Sequence, residues 1–447
     1  RRQTRPFRVV DRVPVRRGSV RHRDRVGPGG ERETAGRRGL DPAAFRRGSM
    51  MRRARLSVII VLAGMLAAVG RPVRADDPDE ARDPPPGEIR RQVERIEAEA
   101  KLYRPGFNRV VIAGDGAATF TSQDGADSTF GAALSPLLLW QLSDRILFEG
   151  GFDIGLSGAG DTSFDLSIAE LSYLVNDYVA VGAGLFVVPF GVYHNHFDPP
   201  WINQLPDDPL PFGDNGIAPG AAVGVFVDGA FPIAKTVLDY DGYISNGPRL
   251  VTDDPGAAGS LEFGNYDDNN GAKSFGGRVG FRPVTEMEIG YSLQYGQVGS
   301  GGFSGVNALL QAVDAEYRRD IGRLRGRLDF RAELVWSHVG RATYGVTSSS
   351  PFGPVSFENN RDGGYVQMAY RPWMAAAPWV RRLEFIGCYD FLRVPLAAPG
   401  GDHEHRFILG ADYWFQPNVV LKCAYEFDEK KLGRDADAFL VQLGFGL

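Results

Sequence analysis

Between Arg323 and Trp336 the residues separate by alternate positions into two rows. One row holds Arg323, Arg325, Arg327, Asp329, Arg331 and Glu333, and the other Leu324, Gly326, Leu328, Phe330, Ala332, Leu334 and Trp336. Successive side chains of a β-strand point to opposite sides, so this stretch predicts a ribbon with one ionic and one apolar face. In a soluble sandwich the apolar face meets a core and the ionic face meets water. In a membrane barrel the apolar face meets lipid and the polar face lines a lumen. This stretch on its own fits either.

The rest of the chain decides between them. Phe148, Phe152, Ile154 and Leu156 alternate with Glu149 and Asp153, and Leu238, Tyr240 and Ile244 with Asp239 and Asp241. Met287 to Tyr295 and Leu421 to Phe427 repeat the pattern, as do the final residues Phe439 to Leu447. The period predicts about sixteen strands, centred near 114, 135, 150, 169, 183, 225, 240, 278, 292, 313, 330, 367, 388, 410, 423 and 441. One set of connections is then short: Ser143-Asp144, Asn176-Asp177, Phe231 to Ala234, Pro283 to Glu286, Arg319 to Gly322, Arg371 to Val380, and Gln416 to Asn418. The alternate set contains every long one: Pro189 to Gly220, Gly247 to Lys273, and Gly340 to Arg361. Sorting loops by parity is the mark of an outer-membrane barrel, with short periplasmic turns and long external loops. Tyr317, Tyr370, Trp373, Tyr413, Phe415 and Phe445 gather beside the short turns, as an interfacial girdle would. The expected fold is an all-β transmembrane antiparallel barrel over 105–447, with a short N-terminal helix.

Upstream of it, residues 1–49 are rich in Arg, Gly and Pro without apolar periodicity, and read as an extension ahead of a start at Met50 or Met51. Residues 50–75 have a basic n-region, a short apolar run and Val73-Arg74-Ala75, which predicts a signal peptide cleaved after Ala75. Residues 76–104 comprise an acidic, Pro-rich linker and a short amphipathic or coiled-coil helix over 88–102, carrying Ile89, Val93, Ile96 and Ala100 on one face. The first 75 residues hold 20 of the 50 basic and 5 of the 55 acidic residues, leaving 30 basic against 50 acidic, a net of −20, for the remainder. That balance excludes nucleic acid as a partner. Cys388 and Cys423 fall on opposite kinds of face, so no disulfide is expected. His194 with His196, and His403 with His405, could ligate a metal as His-x-His pairs, but no third ligand accompanies either, and no metal or cofactor is expected. The chain has no nucleophile elbow, phosphate-binding loop, dinucleotide fingerprint or Cys-x-x-Cys, so no enzyme activity is expected.

The longest loop, 189–220, is the third external one. Its prolines and its Phe190, Phe197, Trp201 and Phe212 predict a rigid, self-packed loop that, folded inward, would narrow the lumen. Tyr193, His194, His196, Asp198, Trp201, Asn203, Asp207, Asp208 and Asp214 are its candidate constriction residues. Pro189-Phe190-Gly191, Pro200-Trp201-Ile202-Asn203, Leu205-Pro206, the hairpin from Phe415 to Phe427 and the terminal Phe439 to Leu447 resemble the phosphate-selective porin O and P family. The resemblance implies a sixteen-stranded, trimeric, passive channel in the outer membrane, constricted by the third loop. Phosphate-selective members bring lysines to the constriction, whereas this loop has no Lys or Arg and ends its barrel in Leu447 rather than Phe. The expected activity is therefore passive diffusion of small hydrophilic solutes and ions, with phosphate or anion selectivity as the alternative and a structural or binding barrel with a closed lumen as a second one.

Candidate pore-lining residues are those of the ionic row together with Asp314, Glu316, Arg318, Glu149, Asp153, Asp239 and Asp241. A tight turn at 319–322 places Tyr317 opposite Leu324 and Val313 opposite Leu328, as the apolar faces require. It also sets Glu316 opposite Arg325, Asp314 opposite Arg327, and Arg318 opposite Arg323. Cross-strand charge pairs contribute about 0.2–1 kcal/mol each. On this reading the arginine ladder and the acidic loop form two walls of a transverse field.

Overall fold

The computed structural model describes residues 109–447, apart from Asp214, Lys235, Pro255, Asn265 and 346–352. The expected extension, signal peptide, linker and 88–102 helix lie outside the described residues.

Strands β1 (Arg109–Gln123), β2 (Thr129–Ser143), β3 (Ile146–Leu156), β4 (Thr162–Asn176), β5 (Val179–Val187), β6 (Ala221–Ile233) and β7 (Thr236–Ser245) form the first part of a sheet. Two short strands, β8 (Arg249–Leu250) and β9 (Leu261–Glu262), pair with each other inside the next loop. The sheet resumes with β10 (Ser274–Val284), β11 (Met287–Gln297), β12 (Asn307–Ile321), β13 (Gly326–Tyr344), β14 (Val355–Arg371), β15 (Leu383–Arg393), β16 (His403–Gln416), β17 (Val419–Lys430) and β18 (Ala438–Gly446). Every strand outside the β8–β9 hairpin pairs antiparallel with its sequence neighbours, and β1 pairs with β18. The result is a closed sixteen-stranded barrel, all-β as the alternation requires. Closure leaves no free edge, and in lipid only such a sheet satisfies all its backbone groups.

All sixteen expected strands are present. The expected connection from Gly340 to Arg361 shrinks to residues 345–354, because β13 and β14 run on past the apolar belt. Their extensions are held by a cluster of Val339, Tyr344 and Phe357 with Leu250, Ala258, Val298, Val306 and Ala398. Polar spacing had hidden these extensions, since the cover comes from the loops at 246–273, 298–306 and 394–402.

Side chains on the outer face are apolar and open, including Ile112, Phe130, Phe164, Val225, Phe275, Phe407 and Leu409. Every member of the predicted girdle sits at the short-turn end. Trp373 and Phe415 are exposed there, Tyr413 and Phe415 have ring centroids 5.1 Å apart, and the Trp373 indole donates to Asp320 at 3.0 Å. Cys388 is buried on the inner face, Cys423 is on the outer face, and both are free.

Candidate functional site

The inner face can be followed strand to strand from the register. Asp115 lies opposite Ser135, Glu149 opposite Glu170, Asp153 opposite Asp165, and Asp228 opposite Asp241. Asp241 in turn faces Arg278 and Gly280 faces Asp239. Asp314 faces Glu333, Glu316 faces Arg331, and Arg318 faces Asp329. Residues directly opposite in an antiparallel pair share a face, so these polar residues share the inner face, interrupted at β5, which carries none.

The loop 188–220 lies inside this wall. Its Phe190, Val192, Tyr193, Phe197, Leu205, Phe212 and Ile217 form one apolar cluster with inner-face residues Leu310, Val335, Tyr365, Ile386, Cys388 and Ile408. Prolines set the loop's bends, and a single π-helical turn, Tyr193–Phe197, follows Val192. The wall then bonds the loop's backbone, which would otherwise be buried without partners. Ser292 Oγ accepts the Gly191 N–H at 2.9 Å. Glu333 Oε2 accepts the Val192 and Tyr193 N–H groups, each at 3.3 Å. Asp390 accepts the Leu210 N–H at 3.2 Å, Lys422 Nζ donates to the Leu205 carbonyl at 3.1 Å, and Gln442 donates to the Pro206 carbonyl at 3.0 Å. Where the loop presses hardest the wall has glycine: a Cβ on Gly444 would stand 2.7 Å from the Pro200 carbonyl oxygen.

The predicted loop residues fall into two sets. Tyr193 is buried and donates its hydroxyl to Asp208 at 2.6 Å, while Asn203 Nδ2 donates to the Tyr193 hydroxyl at 2.9 Å. Trp201 lies against Gly446. Asp207 is bound to Arg406 at 2.6 Å. His194 is partly covered, with its pKa lowered by burial to about 4, so it is neutral near pH 7. His196 is open to the lumen, and Asp198 reaches the lumen surface with its carboxyl crowded by loop and wall. Surrounding protein, then the charges of Asp208, Asp115 and Asp153, push the Asp198 carboxyl up to about 7. Asp214 is outside the described residues.

The ionic row is rearranged relative to expectation. Strand β12 continues to Ile321, and the turn is a 3₁₀ segment, Gly322–Leu324, closed by Arg325 with φ 51°. Arg323 and Arg325 are therefore turn residues, not wall residues. The expected pairs of Glu316 with Arg325, Asp314 with Arg327 and Arg318 with Arg323 are replaced by the pairs of the shifted register. Parity is preserved, so the two faces survive, but the partners change. The 3₁₀ turn takes Arg323 and Arg325 from the ionic row and Leu324 from the apolar one, and this slides β13 along β12.

Arg327 sits at the rim, bonded to Asp320 at 2.8 Å. Asp329 takes Arg318 at 2.7 Å and Arg331 at 3.0 Å. Arg331 is only 3% exposed and its guanidinium lies 3.9 Å from the Phe197 ring centroid. Arg331 and Glu333 thus lie underneath the loop and do not face it across water, while Arg323, Arg325 and Arg327 stay exposed at the turn and rim. Asp314 and Glu333 oppose each other as two carboxylates, and different donors serve them. Asp314 receives Arg278 through two bonds at 2.6 and 3.1 Å, and Glu333 receives the loop's N–H groups.

The sequence pattern alone did not single out Arg278, Glu288, Glu384, Asp390, Arg406, Asp412 or Lys422. Each lies on the polar parity of its strand, which is the signal that was available. Arg278 bridges Glu288 at 2.8 Å and Asp239 at 3.4 Å as well as Asp314. Arg406 bridges Asp390 at 2.7 Å and Glu426 at 3.2 Å. Arg361 is an exception, bonding only Asn359 at 3.0 Å among the described residues.

The opposite arc is different. Residues 109–245 contain 17 acidic and 3 basic residues. Among the described residues, Asp115, Glu149, Asp153, Asp165, Glu170 and Asp228 take no ion pair, and the basic side chains of this arc, Arg109 and Arg145, are at its short-turn end. A cavity of about 560 Å³ opens at that same short-turn end, lined by Arg109, Arg145, Val111, Leu139, Leu147 and Leu174. The loop's wall bonds named above fall on β11 to β18.

No protein-family model and no curated protein matches the sequence. Solved structures match it in shape. Salmonella typhi OmpF in complex with daunomycin aligns with a TM-score of 0.51 at 12% identity, over 76% of this chain and 98% of that one. An anion-selective porin from Comamonas acidovorans aligns with a TM-score of 0.51 at 11% identity, over 76% of this chain and 100% of that one. The fold is that of a sixteen-stranded outer-membrane porin barrel. These likenesses do not single out the phosphate-selective porins that the loop and C-terminal motifs resemble.

Proposed function

We propose that the chain is an outer-membrane porin: a water-filled channel for small hydrophilic solutes, narrowed by the loop 188–220 and preferring cations. The signal peptide at 50–75 directs its export, the long loops face outward, and it assembles as a trimer. The observation that carries the proposal is the division of the lumen. Arg331, Arg406 and Lys422 lie against the loop, and Arg278, Arg282, Arg318 and Lys430 are bonded to wall carboxylates, while the opposite arc presents Asp115, Glu149, Asp153, Glu170 and Asp228 with Asp198 of the loop. Rings of Asp and Glu select cations by raising their local concentration and repelling anions. The phosphate-selective reading would need free lumenal cations along the water path, and the arc holds carboxylates instead.

Planar-bilayer recording of the refolded barrel tests this. Stepwise openings in potassium chloride, with a zero-current potential in a salt gradient of the sign set by potassium, are expected. No steps would leave a closed, structural barrel as the reading, and a chloride-signed potential would restore the anion channel.

A further inference from the structure

A second polar cavity, of about 210 Å³, lies between the inner loop and the wall toward the long-loop end. Asp207, Glu404, Arg406, Glu426 and Asp428 line it, with Thr121 closing one side. The charges around it do not balance. Arg406 is shared by Asp207, Asp390 and Glu426. Lys430 Nζ is shared by Glu404 at 3.2 Å and Asp428 at 3.4 Å. Five carboxylates thus divide two cations. The imbalance shows in the atoms: Glu426 and Asp428 are 4% and 5% exposed, and Glu426 Oε1 and Asp428 Oδ1 are buried with no hydrogen-bond partner. A buried ionised oxygen without a donor is strongly unfavourable, so the group lacks a donor that brings positive charge.

We infer that this cavity is a binding subsite for an organic cation with a guanidinium or ammonium head, held by Glu426, Asp428 and Asp207 on its way through the channel. No group of three or more His, Cys, Asp or Glu among the described residues is arranged to hold a metal ion, which favours a cation that spreads its charge over several N–H donors. The subsite rests on the channel reading for its role in transport, but not for its existence.

The test therefore uses two readouts and two probes, agmatine as a hydrogen-bonding cation and tetramethylammonium as one that donates nothing. Titration calorimetry on the detergent-solubilised full barrel should show agmatine binding, and tetramethylammonium at least roughly tenfold weaker. Glu426→Gln with Asp428→Asn should raise the agmatine dissociation constant by about tenfold or more. Asp207→Asn, on the part-exposed side of the cavity, should raise it in a variant whose wall is intact. In bilayers, agmatine should interrupt the wild-type current and should do so less in these variants. No calorimetric binding, or equal binding of the two probes, overturns the subsite and means that the two oxygens carry protons. Absence of current steps in potassium chloride overturns the channel reading and leaves the calorimetric result to decide the subsite.

Discussion

At Gly191 two requirements meet that only glycine satisfies. Its φ of 67° is in the left-handed region, and an added Cβ would fall 1.4 Å from Glu333 Oε1. Glu333 is fully buried and accepts the two N–H groups that follow Gly191 in the loop. Gly191→Ala must therefore displace either the loop or the carboxylate. We predict a loss of roughly 2–4 kcal/mol, read as a lower temperature for converting the folded, fast-migrating gel band to the unfolded one. Asp198 makes a second prediction, in pH. Its carboxyl rises from an ordinary 3.8 to about 7, so between those values the folded loop holds a proton that the unfolded chain has released. Loop seating weakens as pH rises through that window, and negative charge appears at the pore as pH passes 7. Lumen water screens the residue, so the useful readout is selectivity. The cation-to-anion permeability ratio should rise from about pH 6 to 8, and Asp198→Asn should flatten that rise.

As an element, the inner loop is a length of irregular backbone made stable by its wall. Lys422 is one pin: it reaches the Leu205 carbonyl and Gln442 Oε1, and Asp412 faces it across the strands. Lys422→Met should cost about 1–3 kcal/mol, because the buried Leu205 carbonyl and Gln442 Oε1 lose their donor. Thermal unfolding in detergent measures it, together with noisier open-channel current as the loop loosens. The loops at 394–402 and 431–437 are tied in another way. Asp402 accepts the N–H groups of His403, Lys431, Leu432 and Gly433. Burial opposes its ionisation, but these donors outweigh it and hold the carboxyl below its usual range. The clamp is therefore complete above the ordinary carboxylate range and fails as pH falls below it. Asp402→Ala should expose 431–437 to limited proteolysis while current steps persist. Elements were the most legible level. Alternation located every barrel strand because lipid on one side and water on the other impose a period of two. The turn after β12 was misplaced because Gly322, Arg323 and Arg325 continue the alternation through a turn that only backbone geometry reveals.

Across the whole molecule, charge is divided by position in the sequence, with 17 acidic against 3 basic residues in 109–245. The barrel turns that division into two arcs. Arg325→Ala with Arg327→Ala should leave the zero-current potential nearly unchanged, since one is in a turn and the other is neutralised by Asp320 at the rim. Asp153→Asn with Glu170→Gln should shift it measurably toward chloride. A large effect of the arginines and none of the carboxylates would reverse the assignment of the water path. The sequence by itself determined the barrel, its strand number, its two faces and the long acidic loop, because each is a local periodicity or a local composition. It did not determine that Arg331 and Glu333 would be buried beneath the loop, or which wall the loop would bond. Those follow from where a loop of some thirty residues lies down inside the barrel, through contacts such as Phe197 on Arg331 and Asp207 on Arg406. Residues that far apart in the chain meet only after closure, and their charges take their final values from that meeting.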